Sequence, residues 1–132
     1  MPDIHVSAAV IVDDQGRVLV VRKKGTTRFM QPGGKPENGE TAAHTLIREL
    51  HEELGVLLNE DALYPLGTFI SEAANEPGHR VVADTFLVEV DPRAVSVQAE
   101  LAELRWIAPT NIDTLPLAPL SLEHPLPIAW NR

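Results

Sequence analysis

Apolar and polar positions alternate from the start of the chain. Ile4, Val6, Ala8, Val10 and Val12 fall on one side of an extended segment, and Asp13-Asp14-Gln15-Gly16 then turns the chain back through Arg17 to Lys23. This period of two predicts a β-hairpin. Thr26 to Met30 follows as a loop or short strand that delivers Gln31-Pro32-Gly33-Gly34, where two glycines let the backbone approach a ligand closely. The period then changes. Ala43, Leu46, Ile47, Leu50 and Leu54 recur at helical spacing, which predicts an amphipathic helix with one face against a sheet. Asn38-Gly39 supplies a turn ahead of it, Thr41 an N-cap and Gly55 a C-cap, so the helix is expected from Thr41 to Leu54.

Beyond the helix, Asn59-Glu60-Asp61 reads as a loop, Leu66 to Ser71 as a strand, and Glu72 to His79 as a polar connection holding Asn75, Pro77 and Gly78. Val81 to Val90 is nearly continuous in apolar residues apart from Asp84, the pattern of a central strand covered on both sides. Leu104 to Ala108 is a last short strand, with Trp106 read as core. Pro109, Pro116, Pro119, Pro125 and Pro127 then interrupt the pattern, leaving room for one short helix from Leu117 to Glu123. Strands on both sides of one long helix, with a terminal helix, predict an α/β fold with a mixed sheet and helices on its faces. At 132 residues, a single domain over 1–132 is expected.

Composition narrows the function. With 19 acidic against 11 basic residues and a net charge of −8, a nucleic-acid polymer is not the expected partner, and a small phosphorylated ligand would need help from a metal. The absence of cysteine excludes disulfides, thiolate metal sites and cysteine nucleophiles, and is compatible with a reducing cytosol. No apolar run approaches the roughly 20 residues of a membrane helix, and Met1-Pro2-Asp3 lacks the basic start of a signal peptide. A soluble cytoplasmic protein, monomer or homodimer, is expected. His51-Glu52 lacks the second histidine of a zinc-protease motif, His44 and His51 read as surface residues, and no P-loop occurs.

The helix carries the chemistry. Glu49, Glu52 and Glu53 stand at i, i+3 and i+4, hence on one helical face. Like charges at this spacing destabilise an isolated helix by roughly 0.2–0.5 kcal/mol per pair, so a bound cation explains them better than folding does. Carboxylate oxygen favours a hard divalent ion, Mg²⁺ or Mn²⁺.

Gly34, Glu40, Arg48-Glu49-Leu50, Glu52-Glu53 and Gly55-Val56, with their intervening spacings, resemble the Nudix box at every fixed position. The resemblance implies an α/β/α sandwich and metal-dependent hydrolysis of a nucleoside diphosphate linked to another group. It implies Glu52 and Glu53 as main metal ligands, Glu49 as a third ligand or as the group that accepts the proton of the attacking water, and the Gly33 carbonyl as a further ligand. It gives Gly34, Gly55, Glu40 and Arg48 structural roles, the last two pairing to hold the loop onto the helix. The absence of cysteine separates the chain from the isopentenyl diphosphate isomerases, which resemble this fold with a catalytic cysteine.

Outside the box, Lys35 and Arg22 are candidates for phosphate contact, with a solvated surface cation as the other reading of each. Phe29 is a candidate to stack on a base and Asn111 to read a base edge. A further ligand or base is expected from Glu100, with Glu103 and Glu76 as alternatives. The favoured activity is that of a MutT-like nucleoside triphosphate pyrophosphohydrolase. ADP-ribose or nucleotide-sugar pyrophosphatases and non-catalytic Nudix-like nucleotide sensors are the alternatives. The proline that ADP-ribose pyrophosphatases resemble one another in, roughly sixteen residues beyond the box, is replaced here by Glu72.

Overall fold

The computed structural model describes residues 3–73, 77–110 and 116–117. Its frame is a mixed sheet. Strand β1 (Asp3–Val12) lies at the centre, running parallel to β5 (Arg80–Glu89) from Asp3↔Arg80 to Val12↔Glu89. Outside β5 runs antiparallel β4 (Tyr64–Glu72), and on the other side of β1 come β2 (Val18–Lys23) and β6 (Leu101–Ile107). The two-residue β3 (Gly33–Gly34) pairs with Ala8 and Ser7 of β1.

The expected hairpin forms, with Val12 opposite Val18. Asp13 closes it: its Oδ1 accepts from the N–H groups of Gln15 (2.9 Å) and Arg17 (2.8 Å), and its Oδ2 takes the Arg17 Nε–H at 2.7 Å. Every side chain from Ser7 to Val12 is buried, because both faces of the strand are covered. Ala9 and Ile11 join Leu19, Val21, Leu46, Leu50 and Leu54 under the helix. Val10 and Val12 join Val18, Val20, Phe29, Ile107 and Leu117 on the opposite face.

Helix α1 (Ala42–Leu54) begins and ends at its sequence signals. Thr41 Oγ1 accepts the His44 N–H at 3.2 Å, and Gly55, left-handed at φ 72°, returns its N–H to the His51 carbonyl. Leu46, Leu50 and Leu54 are wholly buried on the sheet, each contributing about 2 kcal/mol. Ser7 Oγ donates to the Ala42 carbonyl at 2.8 Å, tying the first turn to β1.

Several expectations change. β5 is an interior strand, yet Val81 and Val82 are only half-buried and Asp84 is exposed, so it is not covered on both sides along its length. β4 and β6 are longer than expected, the latter starting at Leu101. Asn59 caps a 3₁₀ turn over Glu60–Ala62, and a second turn at Pro92–Ala94 has no counterpart in the sequence reading. The helix expected from Leu117 onward lies outside the described residues, except for Leu117 itself. No helix among the described residues is long and apolar enough to cross a membrane.

Candidate active site

A cavity of about 610 Å³ opens where β3 meets the amino-terminal half of β1 and the charged face of α1. Its floor requires glycine. Gly33 has φ 148°, and a side chain there would overlap the Ser7 carbonyl of the neighbouring strand. At Gly34 a Cβ would stand 2.5 Å from the Glu49 carboxyl carbon. Bare backbone therefore reaches the helix, and the Gly33 N–H donates to Glu53 Oε1 at 3.1 Å.

Glu53 is the most enclosed acid of the site, 4% exposed. Burial, and then the charge of Glu49, push its carboxyl up to about 7, against the Gly33 N–H and Lys23, which lower it; Glu100 adds a further repulsion. Glu49 is also raised, first by burial, while Arg48 opposes the change. Both line the cavity. Glu52 does not: its side chain is 52% exposed and lies 3.3 Å from Arg48 Nη1.

Arg48 holds the frame together. Its Nε and Nη2 grip Glu40 at 2.7 and 3.0 Å, Nη1 reaches Glu49 at 2.9 Å, and Nη2 also donates to the Lys35 carbonyl at 3.0 Å. The Arg48 hydrogen bond, followed by the Glu37 N–H, holds the Glu40 carboxyl down at about 2. The loop from Lys35 to Glu40 is thereby pinned to α1.

Lys35 and Glu100 line the same cavity, and so do Lys23 and Glu72, neither of which the sequence reading singled out as a site residue. The signal for Lys23 was its place beside Arg22 at a strand end, where alternation sends neighbours to opposite faces. Arg22 does not line the cavity; it pairs with Glu103 at 2.9 Å and donates to the Thr26 carbonyl at 2.8 Å. Glu103 is further held by Arg105. Phe29 is buried against Leu117 in the second core and does not face the cavity either. Glu76 and Asn111 lie outside the described residues.

The donor chemistry suits a hard divalent cation: Glu49, Glu53 and Glu100 line one cavity, and the charges of Glu49 and Glu100 both disfavour ionisation of the buried Glu53. Among the described residues no three acidic or histidine side chains are grouped to hold a metal ion, and Arg48 hydrogen-bonds both Glu49 and Glu52.

A family model for the NUDIX domain matches residues 1–130. The chain belongs to the NUDIX domain family. Among its Nudix relatives, an 8-oxo-dGTP diphosphatase of Proteus vulgaris is 31% identical over 91 residues, covering 64% of this chain and 75% of its own length. An ADP-ribose pyrophosphatase of Methanocaldococcus jannaschii is 30% identical over 92 residues, covering 66% of this chain and 53% of its own. The chain thus spans between about half and three quarters of the length of these relatives. The structure of the E. coli dihydroneopterin triphosphate pyrophosphohydrolase superposes with a TM-score of 0.78 over 97% of this chain and 96% of that one, at 20% identity. The α/β Nudix sandwich is thereby established, and with the family comes the class of hydrolases acting on acid anhydrides.

Proposed function

We propose that this Nudix chain hydrolyses the pyrophosphate linkage of a nucleoside diphosphate derivative, with a nucleoside triphosphate as the preferred substrate. The observation that carries the reading is that Glu53 and Glu49 both meet the Gly33-Gly34 strand and line one cavity with Lys23 and Lys35. Glu49, Glu53 and Glu100, with Glu52 at the rim and the Gly33 carbonyl beside them, would hold Mg²⁺ or Mn²⁺. Such an ion, when bound, offsets phosphate charge and makes water a stronger nucleophile.

The chain's own groups do the rest. Lys23 and Lys35 supply positive charge in a protein of net charge −8, drawing the phosphates into the cavity. Where it does not ligate the ion, Glu49 is the group to accept the proton of the attacking water, and Arg48 fixes where its carboxylate stands. Water oxygen forms a bond to phosphorus as the bridging P–O bond breaks, so a triphosphate gives a monophosphate and pyrophosphate. Burial of Glu53 keeps bulk water from competing for its oxygens.

A second substrate reading, ADP-ribose, is favoured by the Methanocaldococcus jannaschii relative and opposed by Glu72 at the position where a proline resembles that subgroup. The test is a panel of dNTPs, 8-oxo-dGTP, ADP-ribose and dinucleoside polyphosphates under Mg²⁺ and Mn²⁺ with product analysis. Pyrophosphate release from a triphosphate is expected. Tight nucleotide binding without turnover of any compound would instead mark a non-catalytic sensor.

A further inference from the structure

Among the described residues, Ala99 is the one non-glycine with positive φ, at 52°, and its methyl group is exposed. A left-handed alanine is unfavourable in isolation and persists where its neighbours over-determine it. They do so here on both sides. Before it, the Ser96 and Gln98 N–H groups donate to the carbonyls of Leu54 and Glu53 at 3.1 and 2.9 Å, strapping the connection across the end of α1. Gly55, left-handed at φ 72°, ends the helix under this strap, with the Gln98 side-chain amide lying over it. After it, the Glu100 carbonyl accepts the Lys24 N–H at 2.8 Å, and Leu101 N–H closes the turn onto the Gln98 carbonyl at 3.2 Å. Between these anchors the chain reverses, and Glu100 emerges in the cavity wall, where its charge is felt at Glu53.

We propose that Ala99 is a positioning residue: its left-handed backbone, fixed between the Gln98–Glu53 and Glu100–Lys24 main-chain bonds, delivers the Glu100 carboxylate to complete the cation-binding set of Glu49 and Glu53. This rests on the cation-binding reading of the cavity given above. The methyl group is exposed, and it is the backbone conformation that sets the direction of Glu100. A β-branched residue resists that conformation, whereas glycine adopts it freely.

The test is Mn²⁺ affinity of the full chain, measured by titration of free Mn²⁺ with electron paramagnetic resonance, independently of turnover. Ala99→Gly is expected to keep the affinity within about twofold, while Ala99→Val and Glu100→Gln each weaken it by about tenfold. The double variant Ala99→Val/Glu100→Gln should bind no more weakly than Glu100→Gln alone. Wild-type affinity in Ala99→Val, losses that multiply in the double variant, or no loss in Glu100→Gln would overturn the proposal. If Ala99→Val does not fold, Ala99→Thr, equally β-branched and polar on this exposed turn, carries the same comparison. Glu53→Gln separates the layers: unaltered Mn²⁺ affinity there removes the cation reading itself, whereas its loss alongside an indifferent Ala99→Val removes only the role of Ala99.

Discussion

Glu53 should make the metal-free protein lose stability as pH rises, and the loss can be isolated by comparison with Glu53→Gln. Its carboxyl moves from an ordinary 4.5 in the unfolded chain to about 7 in the fold. A group whose pKa is higher in the folded state favours folding when protonated, so its contribution is complete below about pH 4.5 and disappears as pH climbs through about 7. With each tenfold change in proton affinity worth about 1.4 kcal/mol, the whole effect is about 3 kcal/mol. Glutamine is neutral throughout and keeps an oxygen for the Gly33 N–H, so the variant should gain on the wild type by that amount between about pH 4 and pH 8. Urea unfolding in the presence of a chelator, with midpoints and slopes taken at each pH, gives the difference directly. Other carboxylates, such as the Arg48-bound Glu40, titrate in both proteins and cancel. Excess Mg²⁺ should shrink the gap at high pH by favouring the ionised fold. Two curves that stay parallel within about 0.5 kcal/mol across this range would refute the account of Glu53 as a carboxylate held against its preference.

Gly34→Ala should place its methyl against the Glu49 carboxyl, 2.5 Å from its carbon, and lower kcat by about 100-fold through misplacement, with little change in the urea midpoint because Glu49 can swing away. Phe29→Ala should cost about 3–5 kcal/mol in urea unfolding while leaving KM unchanged for the folded fraction, since Phe29 sits in the second core and not in the cavity. Glu103→Gln should leave Mn²⁺ affinity unaltered and cost less than about 1 kcal/mol, because its pairs with Arg22 and Arg105 are partly exposed.

What could be read from the sequence was local. The caps of α1, the turn at Asp13 and the glycine pair are fixed by residues within a few positions of one another, and each appears where expected. Which glutamates face the cavity was less accessible: the 100° step of a helix brings Glu49 and Glu53 together, but that Glu49 and Glu53 line the cavity while Glu52 does not depends on where β3 and the loop held by Arg48 and Glu40 lie against the helix. Arg22 and Lys23 were separable only by strand register, which shifts between them against β6. Phe29 looked available because its cover, Pro116 and Leu117, comes from far along the chain. The half-open face of β5 had a similar cause, since the cavity interrupts the packing that its apolar run suggested.

The parallel ladder between β1 and β5 bears on how the molecule acquires its shape. The glutamate helix, its cap and the glycine strand can form from one short stretch of chain, but the wall made by Ile4 and Val81 joins segments 77 positions apart, as the neighbouring Asp3–Arg80 pair does. Closing so long a loop is entropically costly and slow. During synthesis the amino-terminal strand waits, with its apolar flank uncovered, until β5 has left the ribosome, making that interval the time at which the nascent chain is most exposed to misassociation.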